Sequence, residues 1–172
     1  PAGNEPPFVF DAAMSGVAGN KVELAKRLGV DLSPGWIARP DGTPIMEKGP
    51  VPEEYSFLPL GGTRELGSHK GYSLALMIDI LTGVLSGNGP GFQNNMVFSH
   101  YFCAIKIEAF TRLEQFKQDM DEYMRALVNT PPAPGFKKVV YAGLPEHETE
   151  IDRKTNGIPL HPEVVDWFAD IA

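Results

Sequence analysis

The chain reads as a mixed α/β protein, and three observations carry that reading. From Tyr72 to Leu85 the sequence is almost continuously apolar, from Leu113 to Leu127 apolar residues recur at helical spacing, and short β-rich runs lie between. Together they predict a buried central helix set against a β-sheet, and a second, amphipathic helix at the surface.

Taken in order, Pro1–Pro7 is a loop and Phe8-Val9-Phe10 a short apolar strand. The small and polar residues Asp11-Ala12-Ala13-Met14-Ser15-Gly16 follow it. Val22, Leu24, Ala25 and Leu28 predict a helix over 19–28, with Gly29 as its stop. Residues 31–56 carry the turn signals Ser33-Pro34-Gly35, Asp41-Gly42 and Gly49-Pro50-Val51-Pro52, and read as a surface excursion.

The Gly-rich loop at Gly61-Gly62 then feeds the central helix, with Ser68 as its N-cap and an end near Gly87. Its first turn carries Lys70, where the helix dipole already disfavours a cation. Either the lysine is simply solvated, or an anion sits there on the free backbone N–H groups and the ammonium. Gly71 would let a ligand approach the backbone closely.

After the loop Asn88-Gly89-Pro90-Gly91, residues 98–107 alternate as a half-buried strand does. Thr111-x-x-Glu114 is a capping box for a helix whose Leu113, Phe116, Met120, Tyr123, Met124 and Leu127 share one face. That stripe is core or subunit contact. Lys137–Tyr141 is a short strand leading into Ala142-Gly143-Leu144-Pro145-Glu146. A polar helix over 148–157 and a last helix after Pro162, burying Val164, Val165, Phe168 and Ile171, complete the chain.

The composition excludes several function classes. With 172 residues the chain has the size of one domain and can bury a core. A net charge of −7 and a pI near 5.1 argue against a phosphate-binding surface of the nucleic-acid type. The central helix spans ~27 Å at 1.5 Å per residue, short of a bilayer core, and carries Lys70 and Asp79, so no membrane partner is expected. The single cysteine, Cys103, makes no internal disulfide and fits a reducing, cytoplasmic setting. No secretory signal is seen. Of His69, His100, His147 and His161, none stands at metal-ligand spacing from another or from Cys103, so no metal site is expected. His69 opens the central helix, where the dipole favours its neutral form.

Two stretches, Leu58-Pro-Leu-Gly-Gly and Ser68-His69-Lys70-Gly71-Tyr72-Ser-Leu-Ala-Leu-Met-Ile-Asp-Ile-Leu-Thr-Gly-Val-Leu-Ser-Gly, resemble the malate/L-lactate dehydrogenase family. That family includes ureidoglycolate, sulfolactate and diketogulonate oxidoreductases, and its members use NAD or NADP without the Rossmann glycine motif. The resemblance implies the family's non-Rossmann NAD(P)-binding fold over residues 1–172, matching the C-terminal half of a typical member. It also implies hydride transfer between the nicotinamide and a small 2-hydroxy or 2-keto acid such as malate or lactate.

On the same grounds Asp11, Met14 and Ser15 stand where the family has an Asp-Met-Ala-Thr-Ser segment contacting the dinucleotide. His69 and Lys70 line the cofactor, and Gly143, Leu144 and Pro145 occupy a turn that reads Pro-Gly-Glu-Pro-Glu in the family. Ala142 and Leu144 depart from that pattern, which puts a side-chain role at Leu144 in doubt and leaves a backbone role at Gly143. Between Leu60 and His69 the chain has a longer loop than many relatives, and Arg64 on it either reaches a phosphate or is solvated.

The family's proton-donating histidine lies in a Ser-His-Gly motif that does not occur in these 172 residues. No catalytic residue is therefore assigned here. The chain is expected to be the cofactor-side portion of a larger dehydrogenase whose N-terminal catalytic portion lies outside it. A homodimer, or an assembly with that N-terminal polypeptide, follows from the resemblance. The competing reading is a non-catalytic binding or interaction domain that kept the scaffold.

Overall fold

The structure, a computed structural model, describes residues 1–93 and 97–171. The chain divides into two compact units: Pro1–Asp11 with Ile105–Ala172, and Ala12–Ala104.

In the unit of residues 12–104, α1 spans Gly19–Leu28 and stops at Gly29 in the left-handed conformation, as its sequence predicts. Its inward face supplies Val22 and Ala25 to a core shared with Val17, Leu32 and Ile37. Trp36, Ile45, Val51 and Tyr55 pack around that core. Residues 31–56 are thus a surface excursion only in part: most of the segment is exposed, while Leu32, Ile37 and Ala38 are buried. Turn-rich sequence marks changes of direction, but the apolar residues between the turns fold back under α1. A two-stranded antiparallel sheet forms from β1 (Ile37–Ala38) and β2 (Ser56–Phe57), pairing Ile37 with Phe57 and Ala38 with Ser56. The mixed helix-and-sheet class holds, and the sheet is small.

Helix α2 runs Ser68–Asp79 and continues through a π-helical turn, Ile80–Val84, before Gly87 turns left-handed. Its N-cap is Gly67, not Ser68, and no side chain caps it. Nor is α2 a buried helix within this chain. Gly71 is its buried residue, while Tyr72, Leu74, Leu76, Met77 and Ile78 are exposed. A helix apolar on every side needs neighbours all round, and among the described residues the close backbone contact is on the Gly71 side, which meets Leu60. The carboxylate of Asp79 accepts the Gly91 N–H at 3.1 Å and ties down the loop that follows.

The β-rich runs form no ladder. At Phe98–Ile107 no strand is assigned among the described residues, Phe98 and Phe102 are 87% and 89% exposed, and Ile107–Ala109 is a 3-10 turn. Phe8–Phe10 and Lys137–Tyr141 likewise make no strand, although the Val9 N–H donates to the Ala142 carbonyl at 3.0 Å. Composition sets a strand's propensity, but a ladder needs a paired edge.

In the other unit, α3 is Leu113–Val128. The capping box does not form, because Arg112 takes the N-cap position without a side-chain bond. Met124 is fully buried and packs with Tyr141 and Leu144, with Met120 and Leu127 alongside. Helix α4 is Leu144–Asn156, four residues longer at its start than its polar composition suggests, with Pro145 in the first turn. Helix α5, Pro162–Ile171, leaves Val164, Val165, Phe168 and Ile171 exposed. The expected burial fails there because nothing among the described residues covers that face. Among the described residues no helix is long and apolar enough to cross a membrane.

Candidate functional site

The expected site residues fall into two groups, one in each unit, and each group has its own geometry.

In the unit of residues 1–11 and 105–171, Pro7, Val9 and Asp11 form one wall of a cavity of 380 Å³. Ala142, Gly143, Glu146, His147 and Glu150 form the other. Two local features build it. Glu146 and Glu150 stand one turn apart on α4 and therefore share a face. Gly143, at φ 95°, brings the two walls together: a Cβ there would lie 3.0 Å from both the Val9 nitrogen and Cβ. The His147 N–H is taken by the Gly143 carbonyl at 3.0 Å.

The cavity is acidic. Asp11, Glu146 and Glu150 line it with no lysine or arginine. A hydrogen bond from Lys154 at 2.6 Å, and then its charge, hold the Glu150 carboxyl below its ordinary range. A volume in this range suits part of a small ligand rather than a long one. Carboxylates at its rim accept hydrogen bonds from hydroxyl groups and repel phosphate.

The structure brings Asp11 and Gly143 into that one cavity. Leu144 does not line it; the residue is 9% exposed and packed against Met124 and Tyr141. A leucine at the buried start of α4 is a core residue, and its side chain is not offered to a ligand. Pro145 does not line the cavity and sits instead in a neighbouring surface groove with Thr149 and Arg153. Sequence reasoning missed the contributions of Glu146, His147 and Glu150. An earlier helix start would have revealed them, and Pro145 after a glycine was the available signal.

In the unit of residues 12–104, Met14 and Ser15 pair with the Leu58-Pro59-Leu60 segment. The Gly16 N–H donates to the Leu58 carbonyl at 2.7 Å and the Leu60 N–H to the Met14 carbonyl at 3.3 Å. The Ser15 hydroxyl donates to the Val17 carbonyl at 2.7 Å. Both side chains line a shallow hollow with Phe57, Leu58, Pro59, Tyr72 and Ala75.

His69 and Lys70 are exposed in the first turn of α2. Two backbone donors of that turn are already used, the Ser68 N–H by the Thr63 carbonyl (2.9 Å) and the Lys70 N–H by Gly67 (2.9 Å). An anion there would meet the Lys70 ammonium more than a bare ring of amides. Lys70 and Arg64 make no ion pair among the described residues. Gly71 does not face a ligand. The backbone of Leu60 fills the space beside it.

The sequence profile of the malate/L-lactate dehydrogenase family matches residues 1–169. The chain belongs to that family. Among members of the family, it is 38% identical to a malate dehydrogenase of Pyrococcus abyssi over 173 residues, covering 96% of this chain and 48% of the relative. An L-lactate dehydrogenase of Cupriavidus necator is 32% identical over 145 residues, covering 80% and 40%. The fold agrees. The malate dehydrogenase of Entamoeba histolytica superposes with a TM-score of 0.78 at 26% identity, over 99% of this chain and 51% of that one. That of Pyrococcus horikoshii gives 0.77 at 29%, over 98% and 47%. The chain spans about half the length of these family members.

Proposed function

We propose that this chain supplies the cofactor-binding, C-terminal portion of an NAD(P)-dependent oxidoreductase acting on a small 2-hydroxy or 2-keto acid of the malate or lactate kind. Membership in the dehydrogenase family supports the reaction class, and the names of its relatives support the acid. The observation that carries the cofactor reading is the cavity that joins Asp11 to Gly143.

Each unit, taken by itself, offers groups that a dinucleotide uses. Asp11, Glu146 and Glu150 accept hydrogen bonds from ribose hydroxyls, and Gly143 keeps the cavity's two walls close. Lys70, exposed at the start of α2, attracts a phosphate. Met14 and Ser15 offer an apolar hollow with one hydroxyl. When bound, the nicotinamide supplies or accepts the hydride. The chain's own work is to hold and orient it. The resemblance implies a proton-donating histidine in a Ser-His-Gly motif that these 172 residues do not contain, so the residues named here are read as binding groups rather than acid catalysts.

The alternative is a binding domain without turnover. Ala142 favours it as a departure from the family's turn, whereas Leu144 does not, because its side chain is core.

The test is a titration of the whole assembly with NADH and NADPH, followed by nicotinamide fluorescence, then turnover assays with malate, lactate and their keto acids. Saturable binding with turnover is expected. Binding without turnover leaves the alternative, and absence of binding sinks the cofactor reading.

A further inference from the structure

Asp121 is a carboxylate in an apolar stripe, 4% exposed, one turn before the buried Met124. Its Oδ1 accepts the N–H groups of Gly3 (2.8 Å), Asn4 (3.0 Å) and Glu5 (3.0 Å). Its Oδ2 accepts the Asn4 N–H at 3.0 Å and the Asn4 side-chain amide at 3.1 Å. Three successive backbone donors converge on one anion only when the chain curls around it. The carboxylate therefore dictates the backbone path at residues 3–5.

That path leads directly into the cavity wall. One residue on, the Pro6 carbonyl accepts the Tyr141 hydroxyl at 2.9 Å, and Val9 then donates to Ala142. Pro7, Val9 and Asp11 line the cavity. No ladder holds residues 1–11. Besides the bonds to Tyr141 and Ala142, the segment is held by Arg125, whose guanidinium donates to Glu5 at 3.1 Å with both groups partly in solvent. Asp121 is the buried anchor.

We propose that Asp121 is a positioning residue: by fixing Gly3–Glu5 it sets Pro7, Val9 and Asp11 against α4, and so tunes how tightly the cavity holds its ligand. The inference rests on the reading of this cavity as part of the nicotinamide dinucleotide site. A segment that must be ordered at the moment of binding weakens affinity.

The experiment uses Asp121→Ala and Asp121→Asn in the complete assembly, with Met124→Ala as a control that loosens the same unit from its core. NADH affinity and hydrogen exchange at the Val9 amide are both read. We expect Asp121→Ala to raise the NADH Kd by about tenfold and to speed Val9 exchange. Asp121→Asn, which keeps one acceptor oxygen, should fall between it and the parent, and it serves if the alanine variant does not fold. Met124→Ala should lower the Tm while leaving the Kd within about twofold. Unchanged Val9 exchange in both Asp121 variants overturns the proposal, as does an equal loss of affinity in Met124→Ala. If the parent binds neither NADH nor NADPH, the cofactor reading fails, and Val9 exchange alone then decides whether Asp121 positions the wall.

Discussion

The Leu60 carbonyl lies so close to Gly71 that a Cβ added there would stand 2.2 Å from its oxygen and 2.7 Å from the Leu60 nitrogen. The start of α2 therefore rests on the backbone of the Leu58–Leu60 segment, which also pairs with Met14 and Ser15. Main chain on both sides cannot yield as a flexible side chain does. Gly71→Ala should cost at least the ~1–3 kcal/mol typical of overpacking. A denaturant melt checks this, and an unchanged midpoint would show that Leu60 moves freely.

Lys70 is exposed beside that contact and is not part of it. Lys70→Ala should weaken dinucleotide binding by ~1.5–3 kcal/mol, the range for hydrogen bonds to charged groups. The Tm should stay where it is, because the substitution removes a cation from the positive end of a helix. Titration of the assembled protein with NADH, alongside a thermal melt, separates the two effects.

Leu144 belongs to the opposite category. Packed with Met124 and Tyr141, it should cost ~2–5 kcal/mol when cut to alanine, as buried leucines do. The expected signature is a lower Tm in thermal unfolding. A normal Tm with lost cofactor affinity would instead restore it as a ligand contact.

Acid should release the Asp121 anchor. The backbone N–H groups of Glu5 and Asn4 hold its carboxyl down to about 2, against a burial that pushes the other way. A depressed folded pKa contributes stability above the unfolded value of 3.8, and that contribution is lost as pH falls from there through about 2. Relative to an unstructured amide at the same pH, Val9 exchange should therefore accelerate across that window. In Asp121→Asn, which cannot titrate, exchange should be faster at neutral pH and flatter below.

What was legible in the sequence was mostly local. Gly29, Gly87 and Gly157 stop helices through their own backbone geometry, so sequence position alone reveals them. The α3 stripe is equally local, and its spacing places Met124 inside. Strands are not local: Phe98–Ile107 has the composition of one, yet a ladder requires a partner that composition does not name. The burial of α2 failed for the same reason. Its apolar sides state what must be covered and not which segment covers it. Of the residues lining the candidate cavity, Asp11 and Gly143 were named through resemblance, whereas the Asp121 contact with Gly3–Glu5 was not anticipated. Its signal was visible all the same, a carboxylate three residues before Met124 on the stripe that faces inward.

The uncovered side of α2 yields the last prediction. Leu76 is 42% exposed on a helix whose Leu74, Met77, Ile78 and Ile80 are also open, and Phe102 is 89% exposed on a segment without a ladder. Exposed apolar residues along one helix are the kind of surface that interfaces cover. The family resemblance implies either a second copy or the N-terminal polypeptide as the covering partner. A glutamate at position 76 would then be buried against apolar groups, while costing the isolated chain little, since that side chain already reaches solvent. Leu76→Glu should weaken assembly by ~2 kcal/mol or more, the scale of an interface hot spot. Sedimentation across a dilution series would show it as dissociation at a higher concentration than in the parent, with helical content by circular dichroism unchanged. A parent protein that sediments as a stable 18.8 kDa monomer would remove the premise. A Leu76→Glu variant that assembles normally would place the interface elsewhere, with Phe102→Ser as the next residue to try.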